Sequence, residues 1–280
     1  MDRRQLKELA SNPEFISGIY NYCDRWCERC PFTARCLLFA TEQADPDQDD
    51  PETHDLNSAK FWNKLGSMFA EVRQMILEWA EEEGIDLEAA ASEPDVVSRQ
   101  QQREDAKEHP LSLAAREYGM CVEDWFKAES VLEERIYDDT ALSAEDERTI
   151  NIKAAVEVIR WYQFFIAAKT YRALMGLAET EDIGDLDFES FDDEEQDDEM
   201  TWLGASASDA EGSAKIALIA IDRSLSCWRV VQSAFPEKTD SIKPMLIELE
   251  KLRRGIEQTF PGARDFIRPG LDEVASDFVS

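Results

Sequence analysis

The chain has 280 residues, of which 43% are hydrophobic and 10% are aromatic, a composition typical of a folded protein. Its formal net charge of −31 disfavours direct nucleic-acid binding, because phosphate contacts depend on cationic side chains that displace counterions. No apolar run approaches the roughly 20 residues of a membrane-spanning helix, so no membrane association is expected. The first residues lack the continuous apolar segment of a secretory signal, which predicts a cytoplasmic protein with reduced thiols.

The first motif along the chain is a cluster of cysteines in segment 1–44. Four of the six cysteines lie within the stretch NYCDRWCERCPFTARC: Cys23, Cys27, Cys30 and Cys36. If the residues before Pro31 form a helix, the first three thiols lie at i, i+4 and i+7 on one face, and the turn after Pro31 returns the fourth. Four thiolates suit one tetrahedral Zn²⁺ or one [4Fe–4S] cluster. Cys121 and Cys227 lie on apolar helix faces and are predicted to be core residues.

The spacing of the four cysteines bears on the choice of metal. Zinc sites are typically built from two C-x2-4-C pairs separated by a longer loop, whereas the pair Cys27 and Cys30 has only three residues between it and Cys23 and five between it and Cys36. The dense spacing resembles ferredoxin-style ligation, in which four thiolates surround a larger cluster, so it slightly favours [4Fe–4S] over zinc. Either centre would be negatively charged. Arg25, Arg29 and Arg35 are predicted to offset that charge and to donate hydrogen bonds to sulfur.

Helical patterns dominate the rest of the first half of the chain. Residues 57–84 repeat apolar side chains at three- and four-residue steps, between a polar cap at Asn57 or Ser58 and a stop at Gly84. Two further helical segments follow. They are separated at Pro110, which lacks the backbone N–H that an uninterrupted helix needs.

The second half of the chain is predicted to contain the two most apolar helices. The first begins at a capping box around Ser143 and runs up to an acidic segment. Residues 179–199 contain thirteen acidic side chains and no basic one, which predicts a solvated, flexible stretch because like charges repel. Helical patterning resumes after this stretch. It stops at Pro236, and a last helix ends before Gly262.

These patterns predict an all-α protein, a helical bundle of five or six main helices. Residues 57–178 and 211–262 are assigned to a single bundle domain, joined by an acidic, flexible connection at 179–210. Segment 1–44 is predicted to carry the metal and to pack on the bundle. Residues 263–280 form a C-terminal tail without a clear pattern.

Charged residues interrupt the two most apolar helices. They are Glu157, Arg160 and Lys169 on the first and Asp222 and Arg223 on the second. A buried charge is costly unless it is paired, so these side chains are predicted to pair in the centre of the bundle, with Asp222 reaching Arg160 or Lys169. They would form either a structural ion-pair network or the polar pocket of an enzyme.

Functions from different classes are compatible with these patterns. The preferred hypothesis is a cytoplasmic metal-binding protein whose four-cysteine site, holding iron–sulfur or zinc, has a structural, electron-transfer or regulatory role. The alternative is an enzyme with a polar pocket between the helices that carry Glu157 and Asp222. A weaker alternative is an acidic decoy that binds a basic protein partner. A homo-oligomer is compatible with each of them, and no catalytic residue is assigned.

Overall fold

In a computed structural model, every element of the described residues is α-helix or 3-10 helix, which confirms the all-α prediction. The structure describes residues 8–45, 47, 50–87, 95–130, 147–184 and 193–272. Within these ranges no helix combines the length and the apolarity that crossing a bilayer requires. The chain divides into two compact units, which are Met1–Arg99 with Arg268–Ser280, and Gln100–Ile267.

The first unit contains short 3-10 turns and two α-helices, α1 (Leu37–Gln43) and α2 (Ala59–Glu83). The Ser58 hydroxyl caps α2 by accepting a hydrogen bond from the backbone N–H of Lys60 at 3.1 Å. Gly84 ends the helix with a left-handed backbone, φ 71°, which glycine adopts without steric cost. Both predicted ends of α2 are therefore confirmed, but α2 belongs to the first unit and not to the bundle.

The second unit is a four-helix bundle. Helix α3 (Asp95–Glu108) leads into it from the first unit, and the bundle helices are α4 (Pro110–Ala128), α5 (Glu147–Gly184), α6 (Asp193–Ala234) and α7 (Thr239–Thr259). Helix α4 packs on α5, α5 on α6, α6 on α7 and α7 on α4, so the four helices close around one core. Pro110 opens α4 and Pro236 follows α6, and both predicted breaks are confirmed.

Consecutive helices of the bundle run antiparallel. Glu123 of α4 contacts Arg160 of α5, while Gly119, one turn earlier on α4, lies beside Gln163, which comes later on α5. The same reversed order relates α5 and α6, which are joined by the contacts Arg172–Asp209 and Tyr162–Arg223. It also relates α6 and α7, through Asp222–Arg253 and Arg229–Glu250. Helices α4 and α7 are antiparallel as well, because Leu111 lies beside Gly255 and Trp125 contacts Ser241. The topology is therefore up-down-up-down.

Aromatic side chains fill the bundle core near the ends of α4 and α6. Trp228 and Tyr118 are completely buried, and the indole N–H of Trp228 donates to the Tyr118 hydroxyl at 3.1 Å. The Trp125 ring stands perpendicular to that of Trp228 with 5.1 Å between ring centroids. Its own N–H donates to the Ser241 hydroxyl at 3.0 Å. The large apolar rings are thus buried with their polar atoms satisfied, which is the condition for stable burial.

Much of segment 179–210 is helical, although the sequence analysis predicted a connection there. Helices α5 and α6 both extend into it, and residues 185–192 lie outside the described part. The two helices already meet closely at Gly176, where an added Cβ would lie 3.1 Å from the Ala210 side chain. This contact favours helix on both sides of it despite the acidic composition. The predicted capping box at Ser143 also lies outside the described residues.

Gly119 allows α4 to approach α5 closely, and this predicts a cost for a larger residue. An added Cβ would lie 2.8 Å from the backbone carbonyl oxygen of Gln163 and 2.7 Å from Cδ1 of Phe164. Because the backbone oxygen moves only if the helices separate, Gly119→Ala should lower the free energy of unfolding by about 1–3 kcal/mol. The matched control is Gly66→Ala in α2, where a Cβ meets nothing within 4 Å. It should stabilise by about 0.5–1 kcal/mol. Urea titration followed by circular dichroism measures both, and equal destabilisation by the two changes would contradict the close approach.

Candidate metal-binding segment

The cysteine segment folds as a series of 3-10 turns, so the α-helix predicted through its first three cysteines is wrong. The turns are Ile19–Asn21, Cys27–Arg29 and Thr33–Arg35, and α1 follows them. Gly18 and Arg25 have left-handed backbone angles, with φ 68° and φ 59°. A right-handed helix does not continue through such residues. The thiols therefore do not share the helix face that the spacing predicted.

All four cysteines of the segment nevertheless line one small cavity. Its volume is about 20 Å³, close to the space of a single water-sized sphere. The apolar side chains that line it with them are Ile19, Trp26, Phe32, Phe39 and Leu271. Among the described residues, no three His, Cys, Asp or Glu side chains are placed so that they could hold a metal ion. The turns gather the thiols at one place but do not form a closed set of ligands.

Backbone groups of the turns contact two of the four sulfur atoms. The Phe32 N–H donates to Sγ of Cys30 at 3.4 Å, and the Cys23 thiol donates to the Tyr20 carbonyl at 3.6 Å. The first contact would persist and strengthen with a thiolate, because an anionic acceptor binds an N–H more tightly. The second requires the thiol proton and would be lost on ionisation. Cys30 therefore has a backbone hydrogen-bond donor of the kind that orients a metal ligand.

Charged groups near Cys27 shift the pKa of its thiol in opposite directions. Burial raises the pKa of the Cys27 thiol above its ordinary value, and Glu42 and Cys23 raise this pKa further, while Arg25 lowers it. Arg25 also pairs with Glu42, at 3.4 Å between Nη2 and Oε1. A metal ion must displace the thiol proton, so we expect the metal affinity of the segment to fall as the pH falls below this raised pKa.

Neutralising Glu42 should lower the pKa of Cys27. Glu42→Gln removes a negative charge that disfavours the thiolate, so iodoacetamide should alkylate Cys27 faster at a given pH in the metal-free protein. Peptide mass spectrometry resolves Cys27 from the other cysteines. Glu28→Gln is the control, because this neighbouring acid is not among the groups that shift the pKa of Cys27. An unchanged rate in the Glu42 variant would contradict the electrostatic assignment.

Contacts of Arg29 and Arg35 stabilise the turns. The Arg29 guanidinium lies over the Trp26 ring, 3.8 Å from its centroid, and Nε of Arg35 donates to the Glu14 carbonyl at 3.3 Å. The Arg35 carbonyl in turn accepts the N–H of Ile16 at 3.0 Å. These contacts fix the path of the chain around the cavity. The hydrogen bonds from arginine to sulfur that the sequence analysis expected stay a prediction.

Two residues that the sequence analysis did not select belong to this region. Glu42 lies on α1 and reaches Arg25, and Leu271 comes from the far end of the chain to line the cavity. Leu271 lies in the predicted tail, where no pattern marks it. Glu42 is one acidic residue among many, so no local signal distinguishes it. Both contacts depend on how the first unit folds.

The other two cysteines lie in the bundle. Cys121 is exposed, so its predicted core position is wrong, because it lies on the solvent side of α4. Cys227 is half-buried and packs against the core. Neither lines the cavity of the cysteine segment.

The charged residues of the two apolar helices do not have the predicted partners. Asp222 pairs with Arg264 at 2.6 Å and with Arg253 at 3.6 Å, and not with Arg160 or Lys169. The reason is that Asp222 faces α7 and the turn after it, and not α5. Arg160 binds Glu123 of α4 at 2.9 Å.

The remaining charged residues also do not line a central pocket. Glu157 is exposed, and Arg223, also exposed, donates to the Tyr162 hydroxyl. Lys169 is buried with its ammonium 5.6 Å from the centroid of the Phe165 ring. These contacts do not gather the predicted residues into one polar site.

A larger groove lies elsewhere in the second unit, along α5 and α6. Its volume is about 980 Å³, and its described lining includes Ile152, Val158, Cys227 and Val230. Arg229 is the charged residue in that described lining, which contains no carboxylate and no histidine. The part of the lining that the structure describes therefore lacks the paired acid and base on which most general acid–base catalysis depends.

Comparison of the chain with protein-family models, with curated proteins and with solved structures gave no match.

Proposed function

We propose that Cys23, Cys27, Cys30 and Cys36 bind one metal centre whose role is to hold the first unit together. The observation that carries this proposal is that four cysteines line one cavity in a segment with almost no core of its own. Among residues 8–45, Ile19 alone is buried. A segment that buries so little apolar surface needs crosslinks, and small domains of this kind use disulfides or metals.

The turn between Cys27 and Cys30 supports metal ligation. The Cys30 N–H closes it by donating to the Cys27 carbonyl at 3.1 Å, and the next hydrogen bond runs from Phe32 N–H to the Cys30 sulfur. This turn keeps Cys27 and Cys30 close together and supplies a backbone donor to the Cys30 sulfur. Arg25 adds positive charge next to Cys27, which would partly offset the negative charge of a four-thiolate centre.

The size of the cavity favours a single Zn²⁺. A volume of about 20 Å³ is the size of one ion, and the four sulfurs must move inward to coordinate it. A [4Fe–4S] cluster is larger than this cavity. The dense spacing of the cysteines favours the cluster, which is therefore the second candidate. Closure of the shell around Zn²⁺ requires sulfur–metal distances of about 2.3 Å.

Metal analysis of the full-length protein tests the proposal. The protein is expressed with both iron and zinc in the medium and purified without oxygen or chelator, and metals, acid-labile sulfide and the visible spectrum are measured. We expect one zinc per chain and a colourless protein. A brown protein with iron and sulfide in equal amounts would support the same four-thiolate centre with the second candidate. Replacement of zinc by Co²⁺ should give the intense visible absorption of tetrahedral cobalt thiolates.

Two results would overturn the proposal. The first is protein free of zinc and iron in which all four thiols react freely with an alkylating agent. The second is intact-mass and peptide analysis showing two disulfides among the four cysteines, which would replace the metal as the crosslink.

A further inference from the structure

Helix α2 carries a heptad pattern along its whole length. With Leu65 at position a, apolar side chains occupy positions a, d and e of three successive heptads. They are Leu65, Val72 and Trp79 at a, Phe61, Met68 and Met75 at d, and Trp62, Phe69 and Ile76 at e. The other positions hold mainly polar, charged or small residues. This is the pattern of a helix that pairs with another helix.

The apolar stripe is largely uncovered in the structure. Its six most exposed side chains have between 47% and 66% of their surface accessible, and they are Trp62, Met68, Phe69, Val72, Ile76 and Trp79. At about 150–250 Å² for a large side chain, these six together expose roughly 500–800 Å². The upper end of this range is the roughly 800 Å² that each partner contributes to a specific interface of standard size. Single exposed apolar residues are common on proteins, but a contiguous stripe of this size marks an interaction site.

We propose that α2 pairs antiparallel with α2 of a second copy of this chain. When the two helices are antiparallel and overlap along their full length, each position a of one copy lies in the same layer as a position d of the other. Phe61 then packs against Trp79 of the second copy, Leu65 against Met75, and Met68 against Val72. The layers of Leu65 with Met75 and of Met68 with Val72 each combine a flexible methionine with an aliphatic side chain, whereas the layer of Phe61 with Trp79 combines two aromatic rings.

The charges of α2 favour the antiparallel direction. Lys60 and Lys64 lie in its first half, whereas the last turn ends in three consecutive glutamates, Glu81–Glu83. A parallel pair would bring the acidic ends of both copies together, and like charges at close range repel. An antiparallel pair separates the two acidic ends, and it also aligns the helix dipoles favourably. Lys60 and Lys64 already pair with Asp50 and Asp45 in their own chain, so the antiparallel direction gains from the separation of the glutamates and not from new ion pairs.

Sedimentation of the full-length protein tests the interface. We expect a dimer at micromolar concentration, and Val72→Glu should raise its dissociation constant by more than about 100-fold, because the carboxylate would be buried at the centre of the interface. Ala70→Glu is the matched control, since it adds the same charge on the outward side of α2 and should leave the dimer intact. Circular dichroism checks that both variants keep their helices.

Distances between spin labels test the direction independently of any destabilising change. Labels are introduced as unnatural amino acids at Asn63 or Ala70, both on the outward side of α2. In the antiparallel register the two copies of residue 63 are roughly 20 Å apart along the helix axis, and the two copies of residue 70 lie level. The distance at position 63 should therefore exceed that at position 70.

Three results would overturn the proposal. One is a monomer throughout the micromolar range, another is a dimer that Val72→Glu does not weaken, and the third is equal label distances at the two positions, which indicates a parallel pair.

Discussion

Replacing Cys27 by serine is expected to abolish stoichiometric metal binding and to loosen the cysteine segment while the bundle stays folded. A serine hydroxyl is a poor ligand compared with a thiolate, and loss even of a group that only supports a ligand costs about 10–100-fold in affinity. We therefore expect a loss of more than about 100-fold for Cys27→Ser, and similar losses for Cys23, Cys30 and Cys36. Metal content after dialysis against a weak competing ligand measures this.

Hydrogen exchange separates the effect on the segment from the effect on the bundle. Residues 8–45 should lose protection when the metal is removed or Cys27 is replaced, because Ile19 is their single buried residue. The bundle should keep its protection, since its core cluster is formed by residues between Ala106 and Ala263. Cys121→Ser is the matched control. Cys121 is an exposed thiol of α4, so its replacement should change neither the metal content nor the exchange. Loss of metal in this variant, or full metal binding by Cys27→Ser, would contradict the assignment of the ligands.

Trp228→Ala should produce the largest loss of stability in the bundle, about 3–5 kcal/mol. The side chain is completely buried, and its removal leaves a cavity beside the Trp125 and Phe126 rings. It also removes the N–H that binds the Tyr118 hydroxyl, and Tyr118 is itself completely buried. The loss should appear in urea titration as a lower midpoint with an unchanged slope.

Two further variants separate the contributions to this loss. Trp228→Phe keeps most of the apolar volume but leaves the Tyr118 hydroxyl without its donor, so it should cost roughly 1–3 kcal/mol. Trp161→Ala is the control for removing a tryptophan from the same bundle. Trp161 is 37% exposed on α5, so this change should cost clearly less than Trp228→Ala. Equal losses for the two alanine variants would contradict the position of Trp228 at the centre of the core.

Much of the helical architecture could be predicted because helix ends have local chemical signals. Ser58 and Gly84 bound α2 through a hydroxyl cap and a left-handed glycine, and each involves groups only a few residues apart. Pro110 and Pro236 break helices through the geometry of a single ring. The apolar periodicity of α2 was also visible, but periodicity alone does not indicate whether a face is buried in its own chain.

In the acidic segment, charge repulsion and helix packing favour different outcomes. Like charges predicted a flexible connection at 179–210, whereas α5 has helical backbone through Gly184, α6 has it from Asp193, and Gly176 lies against Ala210 where the two helices meet. Propensity and charge repulsion are worth tenths of a kcal/mol per residue, whereas close helix packing contributes more, so the tertiary contact decides the outcome.

The sequence by itself determined that this protein is all-α, where its helices break, and that four thiols lie within a stretch too short for them to be far apart. Only the tertiary structure decided that those thiols line one cavity. The path of the chain there depends on the left-handed backbone of Arg25, which the sequence does not indicate because arginine rarely adopts that conformation. The tertiary structure also decided that Asp222 pairs with Arg253 and Arg264. Ion-pair partners distant in sequence are set by which helix faces which, and that depends on the packing of the whole bundle.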